Sequence, residues 1–343
     1  MKLLSQLKKE DLQGKKVLLR VDFNVAREGD KIVEPFKIET HQETIDYLFQ
    51  NGAKVVCTSH ISEEGESFAP VVKQIGEILG HEFFFVREVT GKVIREAMEN
   101  HPLVLVDNIE LRPEEKTNDP VFAQELAEGF DFFVFDAFAS AHRSYVTREG
   151  IMHVLPSYAG FVIEREVREL SKALKAPADG KMVVLGGAKI STKMPVIQNF
   201  LDKAQYILLG GALINQHEEL RKINNPKVIL PKDTYPAGDN AFDIGPAAIK
   251  EYCDIIKSAR FVIWNGPVGK YEEAPYDTGT KAVARAITKV PFSIIGGGDT
   301  VAAIDKFGLR DKFSYVSTGG GAMLEFLAGK RLPALEALGY YTD

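Results

Sequence analysis

The chain has 343 residues, of which 45% are hydrophobic and 26% charged, and its formal net charge is −6. That length suits two domains better than one and leaves enough apolar material for sizeable cores. The acidic balance argues against nucleic acid or an anionic membrane as partner, and the only cysteines, Cys57 and Cys253, have no CxxC spacing that would make a disulfide framework or zinc site.

No apolar run approaches the ~20 residues of a membrane helix. Met1 to Gly14 lacks the apolar centre of a signal peptide. A cytoplasmic protein is expected, a monomer acting on small-molecule substrates, with no nucleic acid and no membrane.

Taken in order, Lys16 to Phe23 is β-rich, and Thr40 to Gln50 places Ile45, Leu48 and Phe49 on helical spacing. Strands are then predicted at 54–58, 83–86, 103–106 and 131–135. Helices are predicted at 71–79, 93–99 and 121–128. The second half repeats the pattern, with strands at 182–185, 206–209, 227–230, 261–264, 292–295 and 313–316. Near-continuously apolar strands alternating with helices mean parallel sheets covered on both faces. The division is placed in a helical stretch, Tyr158 to Leu174, closed by the turn Pro177-Ala178-Asp179-Gly180. The expected class is α/β, two doubly wound parallel-sheet (Rossmann-like) domains joined by an interdomain helix.

In such sheets ligands sit beyond the carboxyl ends of the strands. There the first half carries polar side chains: Asp22 and Asn24, Ser59 and His60, Asp107 and Asn108, and Asp136 to Arg143. The second half carries glycines: Gly186-Gly187-Ala188-Lys189, Gly210-Gly211, Asn265-Gly266-Pro267, and the triplets Gly296-Gly297-Gly298 and Gly319-Gly320-Gly321. Each triplet stands between a predicted strand and a predicted helix, where backbone N–H groups face a phosphate. Asp299 at one helix start suits either a cap or a magnesium ion carried on phosphates. Lys189 and Lys193 project from one face of a helix start, where two cations oppose the dipole unless an anion sits there. No Walker A, G-x-G-x-x-G, H-E-x-x-H or G-x-S-x-G motif occurs.

The segments Arg20-Val21-Asp22-Phe23-Asn24-Val25, Ser59-His60, Ala141-His142-Arg143 and Leu185 to Lys193, followed by Trp264-Asn265-Gly266-Pro267, Gly296 to Thr300 and Ser317 to Gly321, resemble the phosphoglycerate kinase family motif by motif and in order. The resemblance implies two domains facing a cleft. Residues 1–157 would bind the phosphoglycerate, with a tail, 332–343, packing back on them. Residues 158–174 would be the joining helix, and 175–331 would bind Mg2+ and ATP/ADP. It implies Lys193 stabilising the phosphoryl group in flight, Lys189 binding the nucleotide or the transferring phosphate, and Asp299 positioning magnesium. Arg143, Gly298 and Gly321 join the catalytic set. Gly210, Gly211, Asn265, Pro267, Glu272 (at the ribose), Gly296, Gly297, Gly298 and Thr300 complete the nucleotide site. Asp22, Asn24, Lys37, His60 and Arg143 would hold the acid.

The acid side departs from the family pattern. Glu63 and Glu110 stand where arginines are usual, a swing of about four charge units if both face the cleft. Lys37 keeps a charge but loses the bidentate fork of arginine. Arg112 and Lys116 are the candidates to compensate. Three readings follow: a phosphoglycerate kinase with a rearranged acid site, a kinase for a less anionic carboxylic acid, or a nucleotide-binding paralogue with a regulatory or interaction role. Glu63, Glu64 and Glu66 also fit a solvated loop that leaves the cleft charge unaffected.

Overall fold

The computed structural model describes residues 1–63, 65–216, 219–220, 223–238 and 240–341. Glu64, His217 and the last two residues of the predicted tail lie outside this set. The chain forms two compact units, Met1–Glu166 with Arg331–Asp343, and Val167–Lys330.

The first unit is built on six strands: β1 (Lys16–Arg20), β2 (Lys54–Thr58), β3 (Phe84–Val86), β4 (Leu103–Val106), β5 (Phe132–Phe135) and β6 (Ser157–Ala159). They pair in the order β3-β4-β2-β1-β5-β6, every pair parallel. The run Leu103-Val104-Leu105-Val106 is buried along its whole length, as is Phe132 to Phe135. Each such side chain contributes about 1.5–3 kcal/mol on leaving water. Alternation along β1 sends Val17 and Leu19 into one core cluster with Val55, Cys57 and Leu105. Burial drives the Cys57 thiol well above its ordinary pKa, as suits a core residue.

β6 falls where the start of the joining helix is predicted. Three residues give too short a period to read, yet Tyr158 pairs with Val134. Gly160 then ends the strand, its N–H bonded to Phe135 O, at a point where a Cβ would lie 2.2 Å from Asp136 Oδ1. The helix α1 (Phe161–Lys175) therefore begins later than its apolar spacing suggests. The division between the units falls inside it. At the other end of the chain, Ala334 N–H bonds Ala141 O and the N-terminal ammonium bonds Gly339 O, both within the first unit.

The second unit repeats the scheme with β7 (Lys181–Leu185), β8 (Tyr206–Leu209), β9 (Val228–Ile229), β10 (Phe261–Asn265), β11 (Phe292–Gly296) and β12 (Tyr315–Ser317). Their order is β9-β8-β7-β10-β11-β12, again all parallel. Fully buried Trp264 packs in this core near Phe313. Among the described residues no helix is long and apolar enough to cross a membrane.

The connections diverge between β1 and β5 in the first sheet and between β7 and β10 in the second. Loops leaving such a pair diverge and open a crevice at the strands' carboxyl ends.

Candidate active site

In the second unit β7 leads into Gly186-Gly187-Ala188-Lys189, and β10 ends at Asn265 before Gly266-Pro267. These segments cross closely: Gly186 N–H bonds Asn265 O at 3.0 Å and Gly187 N–H bonds Pro267 O at 2.9 Å. A Cβ on Gly186 would stand 2.0 Å from Pro267 O, so no side chain fits. The N–H groups of Gly210 and Gly211 are likewise spent on Leu185 O and Val268 O. These glycines shape the crevice by letting backbones meet, and the amides of Gly186, Gly187, Gly210 and Gly211 are already engaged within the protein.

The first triplet differs. Gly296 closes β11, Gly297 (φ 100°) caps the helix α3 (Gly298–Lys306), and no side chain caps its first turn. Around Gly298 a Cβ would meet nothing within 4 Å. The first-turn amides therefore stand at an open helix start, which favours an anion. The second triplet lies beside it, for a Cβ on Gly320 would be 3.8 Å from Gly297 Cα. Gly321 opens the following helix, Gly321–Leu327.

Lys193 comes from the helix α2 (Ile190–Phe200) and is buried. Its ammonium donates to Asn265 Oδ1. Burial pulls its pKa down to about 8, with Asp299 opposing the shift. Asp299 is exposed on the first turn of α3, and Thr300 Oγ1 accepts from Gly266 N–H at 2.7 Å. Lys193, Asn265, Gly297, Asp299 and Thr300 thus form one constellation. Lys189 is exposed at the start of the Lys193 helix. Glu272 lies on a loop, also exposed, where its carbonyl accepts from Lys306 at 3.0 Å.

The first unit gathers charge at the ends of β1, β2, β4 and β5. Asp22, just past β1, is buried with Lys37 Nζ at 3.6 Å. Burial opposes its charge, but Lys37, His60 and the Asn24 N–H hold its carboxyl well below the ordinary range. Asn24 exchanges two hydrogen bonds with Ser62, at 2.9 and 3.1 Å. Asp22 N–H donates to His41 Nε2 at 3.0 Å, and His41 Nδ1 meets Asp136 at 2.9 Å, so His41 is a satisfied structural residue. Arg143 is exposed, within 3.4 Å of the Tyr145 hydroxyl.

Fully buried Arg20 meets His60 Nδ1 at 2.9 Å and Thr147 Oγ1 at 2.9 Å. Thr147 in turn bonds Glu115 through both its hydroxyl and its N–H. Burial and the neighbouring Arg148 lower Arg20 to about 10, still a cation at neutral pH. Burial also raises the Glu115 carboxyl above its ordinary value, against the pull of Arg20 and Arg148.

The two glutamates are settled differently. Glu63 is exposed, at 4.0 Å from Arg27, in keeping with a solvated loop. Glu110 is partly buried, bonded to Arg148 at 2.6 Å and to Lys116 at 3.1 Å. Burial works against its charge, but the two cations hold Glu110 below the ordinary carboxyl value. Arg112 is engaged elsewhere: it bridges Glu114 and Glu125, bonds Val89 O and stacks on Phe122. Of the two candidate compensators only Lys116 touches Glu110. Arg148, Thr147 and Glu115 carry no motif, and only Arg20 and His60 in this group lie within segments the sequence marks.

The family model for phosphoglycerate kinase matches residues 7–230 and 216–330. The phosphoglycerate kinase of Thermosipho africanus is 38% identical, with 96% of each chain covered. That of Moorella thermoacetica is 36% identical over 97% of this chain and 98% of its own. Among solved structures, the phosphoglycerate kinase of Coxiella burnetii superposes with a TM-score of 0.81 at 31% identity, covering 98% of each chain. That of Pyrococcus horikoshii reaches 0.89 at 28% identity, covering 99% of this chain and 98% of its own.

Proposed function

The chain belongs to the phosphoglycerate kinase family, and we propose that it runs the family's reaction, reversible phosphoryl transfer between 1,3-bisphosphoglycerate and Mg-ADP, with the second unit holding the nucleotide and the first the acid. It is a phosphotransferase with a carboxyl group as acceptor, and its place is in glycolysis. The observation that carries the division of labour is the constellation of Lys193, Asn265, Asp299 and the paired glycine turns, against the polar cluster of Asp22, His60 and Arg20 in the first unit.

A β-phosphate oxygen of ADP attacks the transferring phosphorus, and the bond from phosphorus to the acyl oxygen breaks. The carboxylate leaves with that electron pair, and no proton need move. Catalysis is then positioning and charge neutralisation. Lys189 and Lys193 offset the charge on the transferring group, while the amides at Gly298 and Gly321 receive phosphate oxygens. Asn265 fixes the Lys193 ammonium by its hydrogen bond. Gly210, Gly211, Gly296 and Pro267 shape the crevice, and Glu272 serves the ribose. Asp22, Asn24, Lys37, His60 and Arg143 orient the acid.

Magnesium fits as a passenger on the nucleotide. Among the described residues no group of three or more His, Cys, Asp or Glu side chains stands ready for a metal. A single exposed carboxylate, Asp299, suits an ion that keeps its waters and phosphate oxygens. The ion would supply further charge neutralisation on the phosphates. We place the protein in the cytoplasm as a monomer with small-molecule substrates alone, in keeping with its net charge of −6.

The test is a steady-state assay with 3-phosphoglycerate and Mg-ATP. Turnover at least about 100-fold above a Lys193→Ala control is expected. Wild-type turnover no higher than that control sinks the proposal.

A further inference from the structure

Building on that reading, we infer that Arg148 is a specificity-determining residue of the acid end: it cancels Glu110 from within the protein and so keeps this end able to take a multiply charged acid.

Glu110 sits on the short turn Ile109–Leu111 after β4, its N–H held by Asn108 Oδ1 at 3.1 Å. Its two carboxylate oxygens are divided, Oε1 to Arg148 Nη2 and Oε2 to Lys116 Nζ. Arg148 has no exposed surface and stacks its guanidinium on the Tyr145 ring at 4.3 Å. It belongs to the same charged group as Arg20 and His60.

A buried arginine is an expensive way to fill space, since an apolar side chain of similar volume packs without losing its hydration. Arg148 also uses its donors sparingly. Its Nε and Nη1 are buried without a hydrogen-bond partner among the described residues, and so is Nε of Arg20. The guanidinium donors of the cluster thus outnumber their acceptors, with Arg148 and Lys116 set against Glu110, and Arg20 against Glu115 and Asp22. Without Arg148, a partly buried carboxylate would stand beside His60 and repel a phosphate or carboxylate arriving there. With Arg148 and Lys116 that carboxylate is matched, as Lys37 matches Asp22, so Glu110 adds no unopposed charge against the pull of Arg20 and Arg143. Arg148 works through Glu110, as a positioning residue.

The test is a charge cycle in the full-length protein: Arg148→Met, Glu110→Gln, the double variant, and Arg148→Lys. The readouts are the calorimetric Kd for 3-phosphoglycerate, the KM values for acid and for ATP, and thermal unfolding. Arg148→Met is expected to weaken acid binding at least about tenfold, with the KM for ATP within about twofold of wild type. The double variant is expected to return to within about threefold of wild type. Arg148→Lys should hold most of the affinity, and Glu110→Gln alone should tighten it.

A structural role would lower stability without this charge-specific rescue. An unchanged acid Kd in Arg148→Met, or a double variant as weak as Arg148→Met, overturns the inference. Should Arg148→Met fail to fold, Glu110→Gln decides it, and a Kd that fails to tighten overturns it. Absence of wild-type turnover is a different failure, of the functional reading. Wild-type turnover with no acid-specific shift in the variants is a failure of this inference alone.

Discussion

Arg20 Nη2 lies 2.9 Å from Nδ1 of His60, inside the first unit. A guanidinium has donors only, so Nδ1 accepts and the imidazole carries its proton on Nε2. Burial and the Arg20 charge push His60 down to about 3. It is then a neutral donor at the acid end. A predicted basic side chain contributes a directed N–H there, with no charge.

The first prediction concerns pH at this residue. His60 shows no titration between pH 5 and 8 in nitrogen-detected NMR, and stays in the Nε2–H tautomer. The sign for stability follows. The folded pKa lies below the unfolded value of about 6.5, so the unfolded chain takes up a proton first. The contribution is complete above pH 6.5 and is lost progressively as pH falls toward 3. A His60 titration near 6.5 contradicts this arrangement.

Lys193 gives the opposite window. Its pKa of about 8 makes the free enzyme lose the cation as pH rises through that value, so kcat/KM for the nucleotide should fall on the alkaline side. Removing the hydrogen-bond acceptor with Asn265→Leu disfavours the ammonium and should move that limb lower, by about half a unit or more. In stability the folded state holds fewer protons between 8 and the unfolded 10.5, so stability rises with pH across that window. The full burial cost is present below pH 8, and Lys193→Met should raise Tm at pH 7 while abolishing turnover. A lower Tm in this variant counts against a buried, penalised cation.

Two glycines should separate scaffold from site. In Gly186→Ala the new methyl meets Pro267 O at 2.0 Å, so urea unfolding should show a loss of about 2–3 kcal/mol. Gly298→Ala places its methyl in open space on a helical residue, so stability should hold or rise by about 0.5 kcal/mol. Because that methyl stands at the open start of α3, calorimetric ADP affinity should nevertheless drop. Equal effects of both variants on stability would refute the distinction.

For Asp299 the expected readout is magnesium demand. Asp299→Asn should raise the Mg2+ concentration for half-maximal activity about tenfold or more, with the fold and Tm retained, because the side chain is exposed and caps nothing. An unchanged magnesium curve would remove Asp299 from that role.

Much of the protein is written locally. Apolar runs such as Leu103 to Val106 specify buried parallel strands on their own, and the glycines, Lys193 and Asp299 stand next to strand ends where a crevice forms. The edge strand Ser157–Ala159 escapes such a reading because three residues carry no period, and its pairing partner Val134 supplies the missing information.

Charge at the acid end is harder still to read from the chain. The sequence determined that Glu110 is acidic and that Arg112 and Lys116 are nearby along the chain. Only the tertiary structure decided that Arg112 turns to Glu114 and Glu125, and that Arg148, 38 residues further on, joins Lys116 as a counter-ion. The reason is physical. Strand and helix formation depend on neighbours in sequence, whereas the electrostatic state of a partly buried carboxylate depends on every charge that folding brings within a few ångströms.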